Sequence, residues 1–240
     1  MRRSVLSRLQ KIPAARLDPQ ARSGLTLTAG IALLLVAVCS FGLVAASVTG
    51  GGAITVLDLR LASWFHEHAA AGLTPVFLLL THLHSIASMS LFGALLGLYF
   101  YRKQARYWLL LTLIAVPGGM LLNALLKFAF MRARPSFHDP ILTLLTYSFP
   151  SGHTAATTVF YGIIAAYLCG KTSGWRAPCA IAAAALLMVL LVGLSRIYLG
   201  VHYFSDVLAA MAESCAWLVV CIAAVAMLRR RRERTAPPDG

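Results

Sequence analysis

Three short segments of the sequence bring ionisable residues next to small polar residues. They are KFAFMRARP at 127–135, FPSGHT at 149–154 and LSRIYLGVHYFSD at 194–206. Each lies at the end of an apolar stretch, where a charged side chain is costly unless it has a partner or a task. The residues in these segments whose chemistry suits a site are Lys127, Arg134, Ser151, Gly152, His153, Arg196, His202 and Asp206.

The cations of this set are suited to binding an oxyanion. Lys127, Arg134 and Arg196 supply three positive charges, and the two guanidinium groups are planar donor forks that match phosphate oxygens. A helix that begins at Ser151 and Gly152 adds free backbone N–H groups and the positive end of its dipole. Together these features predict a site for a phosphate group.

The two histidines and the carboxylate predict acid–base or nucleophilic chemistry. His202 and Asp206 are four residues apart, so on a helix they share one face. Asp206 can then accept a hydrogen bond from one ring nitrogen of His202, which leaves the other nitrogen as a nucleophile or base. His153 is a second titratable group. Cations, two histidines and a carboxylate indicate phosphoryl transfer without a metal or other cofactor.

Each segment also has a simpler interpretation. Lys127 and Arg134 can extend toward lipid headgroups. The PSGH sequence can be only a turn and a helix cap, and His202 with Asp206 can form a structural hydrogen bond. The convergence of all three segments at one membrane depth favours a functional site.

The elements that carry these residues are predicted to be membrane spans. Of the 240 residues, 59% are hydrophobic and 12% are charged, and the mean hydropathy is +0.77. Soluble domains contain about 45–50% apolar and about 25% charged residues, so a water-soluble enzyme, a disordered chain and a disulfide-stapled module fit poorly. We predict an all-α fold with six transmembrane helices in one bundle, formed by apolar stretches of spanning length. These stretches are 25–47, 74–100, 107–128, 151–169, 177–195 and 203–228.

The charge distribution predicts the orientation of this bundle. The bundle occupies 25–228 and lies between basic tails at 1–24 and 229–240. The tails and two of the connections carry sixteen Lys and Arg residues on one side, against five on the other. By the positive-inside rule both termini are cytoplasmic. The net charge of +13 is therefore interpreted as a topology signal, and no nucleic-acid partner is expected.

Several other features bear on the fold. The five cysteines form no CxxC pair and are expected to be free thiols. The segment 56–70 is either a short interfacial helix or a loop anchored by Trp64.

Glu213 is expected to have a partner inside the bundle rather than to line a cavity. Asn123 either orients Lys127 or bonds to another helix, and the polar stripe of the second stretch is interpreted as a helix-packing face. This stripe consists of Thr81, Ser85 and Ser88.

The three segments resemble the signature motifs of the type 2 phosphatidic acid phosphatase family. Lys127 precedes Arg134-Pro135 by six intervening residues, the PSGH motif stands at 150–153, and Ser195-Arg196 precedes His202 and Asp206. All eleven motif positions match in the expected order. The motifs extend from Lys127 to Asp206, and the six-span layout extends the resemblance to most of the chain.

The resemblance implies a covalent mechanism with named roles. His202 would attack phosphorus to give a phosphohistidine, and Asp206 would orient its ring. His153 would protonate the leaving group and then activate water. The remaining motif residues would hold the phosphoryl oxygens, and they are Lys127, Arg134, Ser151, Gly152 and Arg196.

The function predicted on this basis is a membrane phosphatase acting on a lipid phosphate or diphosphate from the outer leaflet. Undecaprenyl diphosphate, phosphatidylglycerol phosphate and phosphatidic acid are all compatible substrates, because the motif residues are expected to bind only the terminal phosphate. The expected location is a bacterial inner membrane, with the site facing the periplasm or exterior. The alternative is a lipid-binding or transport protein that uses the cations without hydrolysis. Oligomeric state does not follow from the sequence.

Overall fold

The computed structural model describes residues 19–235, with side chains described from residue 28 to residue 233. Most of the basic segment 1–24 and the last residues of the tail 229–240 therefore lie outside the described residues. Within the described range the chain is helical and contains no strand. Its helices are α1 (Pro19–Thr49), α2 (Ala53–Glu67), α3 (Thr74–Leu83), α4 (Ile86–Arg102), α5 (Arg106–Phe130), α6 (Gly152–Cys169), α7 (Arg176–Tyr198) and α8 (Phe204–Thr235).

Four helices of the described chain are long and apolar enough to cross a membrane. They cover Thr28–Thr49, Arg106–Phe130, Arg176–Tyr198 and Phe204–Glu233, and the pair α3–α4 makes a fifth if it is counted as one span. The chain is therefore a multi-pass membrane protein. The sequence predicted six spans, whereas four or five helices of the described chain meet the criteria of length and apolar composition.

The predicted span that fails this test is α6. Its 18 residues include Thr154, Thr157 and Thr158, which lower its hydropathy. These threonines are buried, because α6 packs against α5, α7 and α8 in the middle of the bundle. Part of the polar composition of α6 therefore comes from residues that face other helices rather than water.

The prediction of one continuous span over 74–100 is wrong. The chain bends by 47° between α3 and α4. Ser85 has extended backbone angles, and its hydroxyl accepts a hydrogen bond from the Ser88 N–H at 3.2 Å. Ser85 thus starts a new helix as an N-cap, so Ser85 and Ser88 form a cap and not part of a packing stripe. His84 at this break is buried and bonds to the Tyr161 hydroxyl at 3.1 Å.

The segment near 56–70 is a helix rather than a loop. α2 covers Ala53–Glu67, and Trp64 on its outer side is 51% exposed. Its inner side buries Asp58 and Ala62 and packs against α8 and α7. The five cysteines are free, as predicted.

Close packing of α5 against α8 sets the relative positions of the helices that carry Lys127 and Asp206. The Trp217 indole N–H donates to the Ala115 carbonyl at 3.0 Å. Its ring lies against Gly118, where a Cβ atom would collide with it. The missing side chain therefore lets the two helices approach.

Candidate active site

The predicted site residues converge at one end of the bundle, where α5 and α7 end and α6 and α8 begin. Lys127 lies in the last turn of α5 and Arg196 in the last turn of α7. Ser151 precedes α6, and its N–H donates to the Asp206 carbonyl at 3.1 Å. The helix ends therefore bring together motifs that are far apart in sequence.

His202 and Asp206 form the predicted pair. The Nδ1 atom of His202 lies 3.2 Å from Oδ2 of Asp206, and both side chains are buried. On the other side of the ring, Nε2 lies 3.1 Å from Nη1 of Arg134. A guanidinium group only donates, so Nε2 accepts and the ring proton is on Nδ1. This tautomer leaves the Nε2 lone pair directed at the cationic group.

The carboxylate of Asp206 has more partners than the sequence predicted. Its Oδ1 accepts from Nη1 of Arg132 at 2.7 Å. Its Oδ2 accepts from the Ser148 hydroxyl and from the Tyr203 N–H, the latter at 2.9 Å. With four donors, the carboxylate is held in one orientation toward His202.

Lys127 and Arg134 both point toward the segment 131–151 that joins α5 to α6. The Lys127 ammonium donates to the carbonyls of Tyr147 at 2.8 Å and Ser148 at 3.3 Å. Arg134 donates to the carbonyls of Thr146 at 2.6 Å and Tyr147 at 3.1 Å. Neutral carbonyls satisfy the donors without cancelling the charge, so the positive charges of both side chains remain available to an anion.

Arg196 is the most deeply buried cation of the group, at 1% exposure. Its Nη1 atom donates to the Thr81 hydroxyl, whereas Nε and Nη2 have no partner. Buried polar atoms almost always have a partner, and two unpartnered donor nitrogens on one guanidinium match the spacing of phosphate oxygens. Thr81, interpreted from the sequence as part of a packing face, thus orients this cation.

Gly152 allows a close approach at the start of α6. A Cβ atom on Gly152 would lie 3.2 Å from Oδ1 of Asn123 and 3.8 Å from Cε of Lys127. Ser151 beside it is buried and accepts a hydrogen bond from Thr154 at 3.0 Å. His153 follows with a half-buried side chain. These residues line the side of the site formed by α6.

Asn123 bonds to another helix, which was one of its two predicted alternatives. Its Nδ2 atom donates to Oε1 of Glu213 at 2.6 Å. Glu213 therefore has a partner inside the bundle, as expected, while its Oε2 is buried without one. The pair joins α5 to α8 one helical turn before Lys127.

Burial and positive neighbours lower the pKa of His202 well below its ordinary value. Desolvation is the largest cause, followed by the charges of Arg134, Lys127 and Arg196. Burial also lowers the pKa of Arg134. His202 is therefore held neutral, which agrees with an Nε2 atom that accepts a hydrogen bond.

Acidification is expected to destabilise the fold through His202. Because its folded-state pKa is depressed, the unfolded chain binds a proton below about pH 6.5 that the folded chain does not bind. This contribution to stability is present above about pH 6.5 and falls by up to about 1.4 kcal/mol per pH unit below it. Thermal unfolding in detergent should show a larger loss on acidification for wild type than for His202→Gln. Equal losses would contradict the assignment.

The sequence did not single out Arg132, Asp58 or Ser148, although all three belong to the bonded network around Asp206. Arg132 stands inside the first segment, only two residues before Arg134. Asp58 carried one signal, since the chain has only eight acidic residues and this one lies among apolar neighbours. In the described chain no group of three or more His, Cys, Asp or Glu could hold a metal ion.

This arrangement is typical of one family. The family model of the PAP2 superfamily matches residues 106–230, a range that contains all eight predicted site residues. The chain belongs to the PAP2 superfamily, which confirms the family inferred from the motifs.

Two curated relatives match part of the chain. Phosphatidylglycerophosphatase B of Bacillus subtilis is 39% identical over 116 residues, covering 47% of this chain and 54% of the relative. Decaprenylphosphoryl-5-phosphoribose phosphatase of Mycobacterium tuberculosis is 36% identical over 126 residues, covering 50% and 62%. The chain thus spans little more than half the length of the curated relatives it matches.

Solved structures share the fold. The crystal structure of a transmembrane PAP2-type phosphatidylglycerolphosphate phosphatase from Bacillus subtilis is similar with a TM-score of 0.67 and 27% identity. The match covers 84% of this chain and 98% of that one. LpxE of Aquifex aeolicus has a TM-score of 0.55 at 24% identity, over 70% of this chain and 95% of that one, and shows similarity of fold alone.

Proposed function

We propose that the chain is an integral-membrane phosphatase that hydrolyses the terminal phosphate of a lipid phosphate or diphosphate. The observation that carries the proposal is the neutral His202, whose Nε2 lone pair is directed at the cations of the site. A site that only binds phosphate has no need for a histidine whose tautomer is held by a carboxylate. The names of both curated relatives describe phosphatases.

The cations bind the phosphoryl group and offset its charge. The unpartnered Nε and Nη2 atoms of Arg196 donate to phosphate oxygens, and Lys127 and Arg134 exchange backbone carbonyls for the anion. The N–H groups at the start of α6, beside Ser151 and Gly152, complete the binding site. Charge on the equatorial oxygens grows as the bond to the leaving group breaks, so these donors stabilise the transition state.

His202 attacks phosphorus through Nε2, and the lipid oxygen leaves. The product is a phosphohistidine, with the positive charge of the ring stabilised by Asp206. His153 donates a proton to the leaving oxygen and then removes one from the water that cleaves the P–N bond. His202 and His153 return to their starting protonation states when inorganic phosphate departs.

The cationic side chains take the place that Mg²⁺ has in other phosphoryl-transfer sites. Hydrolysis is therefore expected to proceed without an added metal. Phosphate release by purified protein in detergent should persist in EDTA, and abolition by EDTA with restoration by a divalent cation would contradict metal independence. Undecaprenyl diphosphate, phosphatidylglycerol phosphate and phosphatidic acid form the substrate panel, and their ranking identifies the preferred lipid.

We further propose six spans, with both termini cytoplasmic and the site at the outer face. Counting α3–α4 once and including α6 gives an even number of crossings. The arginine-rich end at Arg106 and Arg229 lies opposite the site. Single cysteines introduced at Leu145, near the site, and at Arg231, near the other end, test this orientation when they are labelled from each side of a bacterial inner membrane in a variant without the five native cysteines.

A lipid-binding or transport protein is the second candidate, and one observation favours it. The break between α3 and α4 is an interrupted helix, a feature of many transporters. A continuous span over 74–100, as hydropathy predicts, would argue against transport, and the bend of 47° between α3 and α4 removes that argument. Phosphate release by the purified protein separates the two functions, because a transporter alone leaves the lipid phosphate intact.

A further inference from the structure

We propose that Arg132 and Asp58 are positioning residues for the phosphatase site, acting through Asp206 on His202. This inference rests on the proposed function. Arg132 joins two buried carboxylates: its Nη1 lies 2.7 Å from Oδ1 of Asp206 and its Nη2 lies 2.8 Å from Oδ2 of Asp58. The spacing of the three motifs predicts neither of these two contacts.

Asp58 brings α2 into the active site. It is fully buried and accepts the Ser205 N–H at 2.9 Å in addition to the Ser205 hydroxyl. The N–H of Ser205 is one of the free donors at the start of α8, where a carboxylate is favoured. Asp58 therefore fixes both Arg132 and the first turn of α8, which carries Asp206. It lies outside the residues 106–230 that match the family.

The geometry explains how Arg132 acts on the nucleophile. Asp206 uses Oδ1 for Arg132 and Oδ2 for His202, so the guanidinium sets the rotation of the carboxylate that orients the imidazole ring. Arg132 is itself held from three sides, by Asp58, by the Ser205 hydroxyl at 2.7 Å and by the Tyr203 ring at 4.2 Å. A rotated carboxylate would no longer hold the ring proton of His202 on Nδ1. It would also move Nε2 away from the direction of attack on phosphorus.

Arg132 differs from the other cations of the site in its charge balance. It faces two carboxylates, whereas Lys127 and Arg134 face backbone carbonyls and Arg196 faces a hydroxyl. The charge of Arg132 is therefore already offset within the protein. Removing it should slow the chemical step and leave phosphate affinity nearly unchanged.

The test is a kinetic comparison of Arg132→Met, Arg132→Lys and Asp58→Asn in purified full-length protein. Misplacement of a reacting group costs on the order of 100-fold, so Arg132→Met should lower kcat by about 100-fold and Asp58→Asn by about tenfold. KM and the inhibition constant of inorganic phosphate should stay within about threefold in both, because the three phosphate-binding cations remain. Arg132→Lys keeps the charge without the two-pronged contact and should lose about tenfold.

Three further measurements separate positioning from folding. Arg60→Ala and Glu67→Gln change exposed charged residues of the same helix, α2, and should leave kcat within about twofold of wild type. Asp58→Asn should cost less activity in the Arg132→Met background than in wild type, because part of its effect passes through Arg132. Added guanidinium should partly restore the kcat of an Arg132→Ala variant.

Two results would overturn the inference. One is a kcat within about threefold of wild type in Arg132→Met and Asp58→Asn. The other is a phosphate inhibition constant that rises in step with the loss of kcat, which would make Arg132 a phosphate ligand. A wild type that releases no phosphate would instead contradict the proposed function, so the two failures are distinguishable.

Discussion

Replacement of His202 by alanine is expected to abolish turnover of every lipid phosphate that the wild type hydrolyses. The substitution removes Nε2, the atom that forms the covalent bond to phosphorus, and no other side chain in the described site presents a lone pair held by a carboxylate. Loss of a nucleophile costs several orders of magnitude in rate, so kcat should fall by at least about 1,000-fold. Phosphate release in detergent, normalised to folded protein, gives the measurement.

A matched histidine variant controls for this experiment. His82 lies on α3 with an exposed side chain whose Nδ1 bonds to the Leu78 carbonyl, so His82→Ala should retain wild-type activity. Binding of inorganic phosphate should survive in His202→Ala, because its cationic ligands are unchanged. Activity of His202→Ala within about tenfold of wild type would remove this residue from the role of nucleophile.

Replacement of His153 by alanine is expected to have the second largest effect and to separate the two chemical steps. Loss of a general acid–base group costs about 100- to 10,000-fold, so hydrolysis of an alkyl phosphate should nearly stop. An aryl phosphate carries a leaving group that needs no proton, so its first step should continue. The second step still lacks its base, and phosphohistidine should accumulate.

Alkaline gel analysis of protein incubated with a radiolabelled aryl phosphate detects this intermediate. The label should be retained by His153→Ala, weak in wild type because turnover removes it, and absent from the His153→Ala/His202→Ala double variant. Label that persists in the double variant would place the covalent bond elsewhere. If His153→Ala loses activity on the alkyl and the aryl phosphate equally and retains no label, His153 is needed for the first step regardless of the leaving group.

Motif spacing alone predicted the family and the pairing of His202 with Asp206. His202 and Asp206 are four residues apart, and one helical turn or an equivalent tight turn brings such residues together. The three motif cations stand at the ends of apolar stretches, so the thickness of the membrane confines them to one depth. These inferences need only local periodicity and hydrophobic length, which are properties of the chain as written.

Span boundaries were less predictable, and the reason is again physical. The segment 74–100 is apolar throughout, so hydropathy predicts one helix, whereas the Ser85 cap divides it in two. In α6 the opposite occurs, because threonines that face other helices lower the hydropathy of a helix in the centre of the bundle. Hydropathy depends on residue types alone, so it does not show which face of a helix is covered by neighbouring helices.

The contacts that hold the proposed catalytic groups in place are visible only in the folded chain. Arg132 meets Asp58 across 74 positions of the chain, and Arg196 meets Thr81 across 115. No helical period relates residues so far apart, since their contact depends on how α2 and α3 pack against α7 and α8. The residue types needed for the chemistry could therefore be read from the sequence, while the orientation of those groups depends on long-range packing that the sequence does not display.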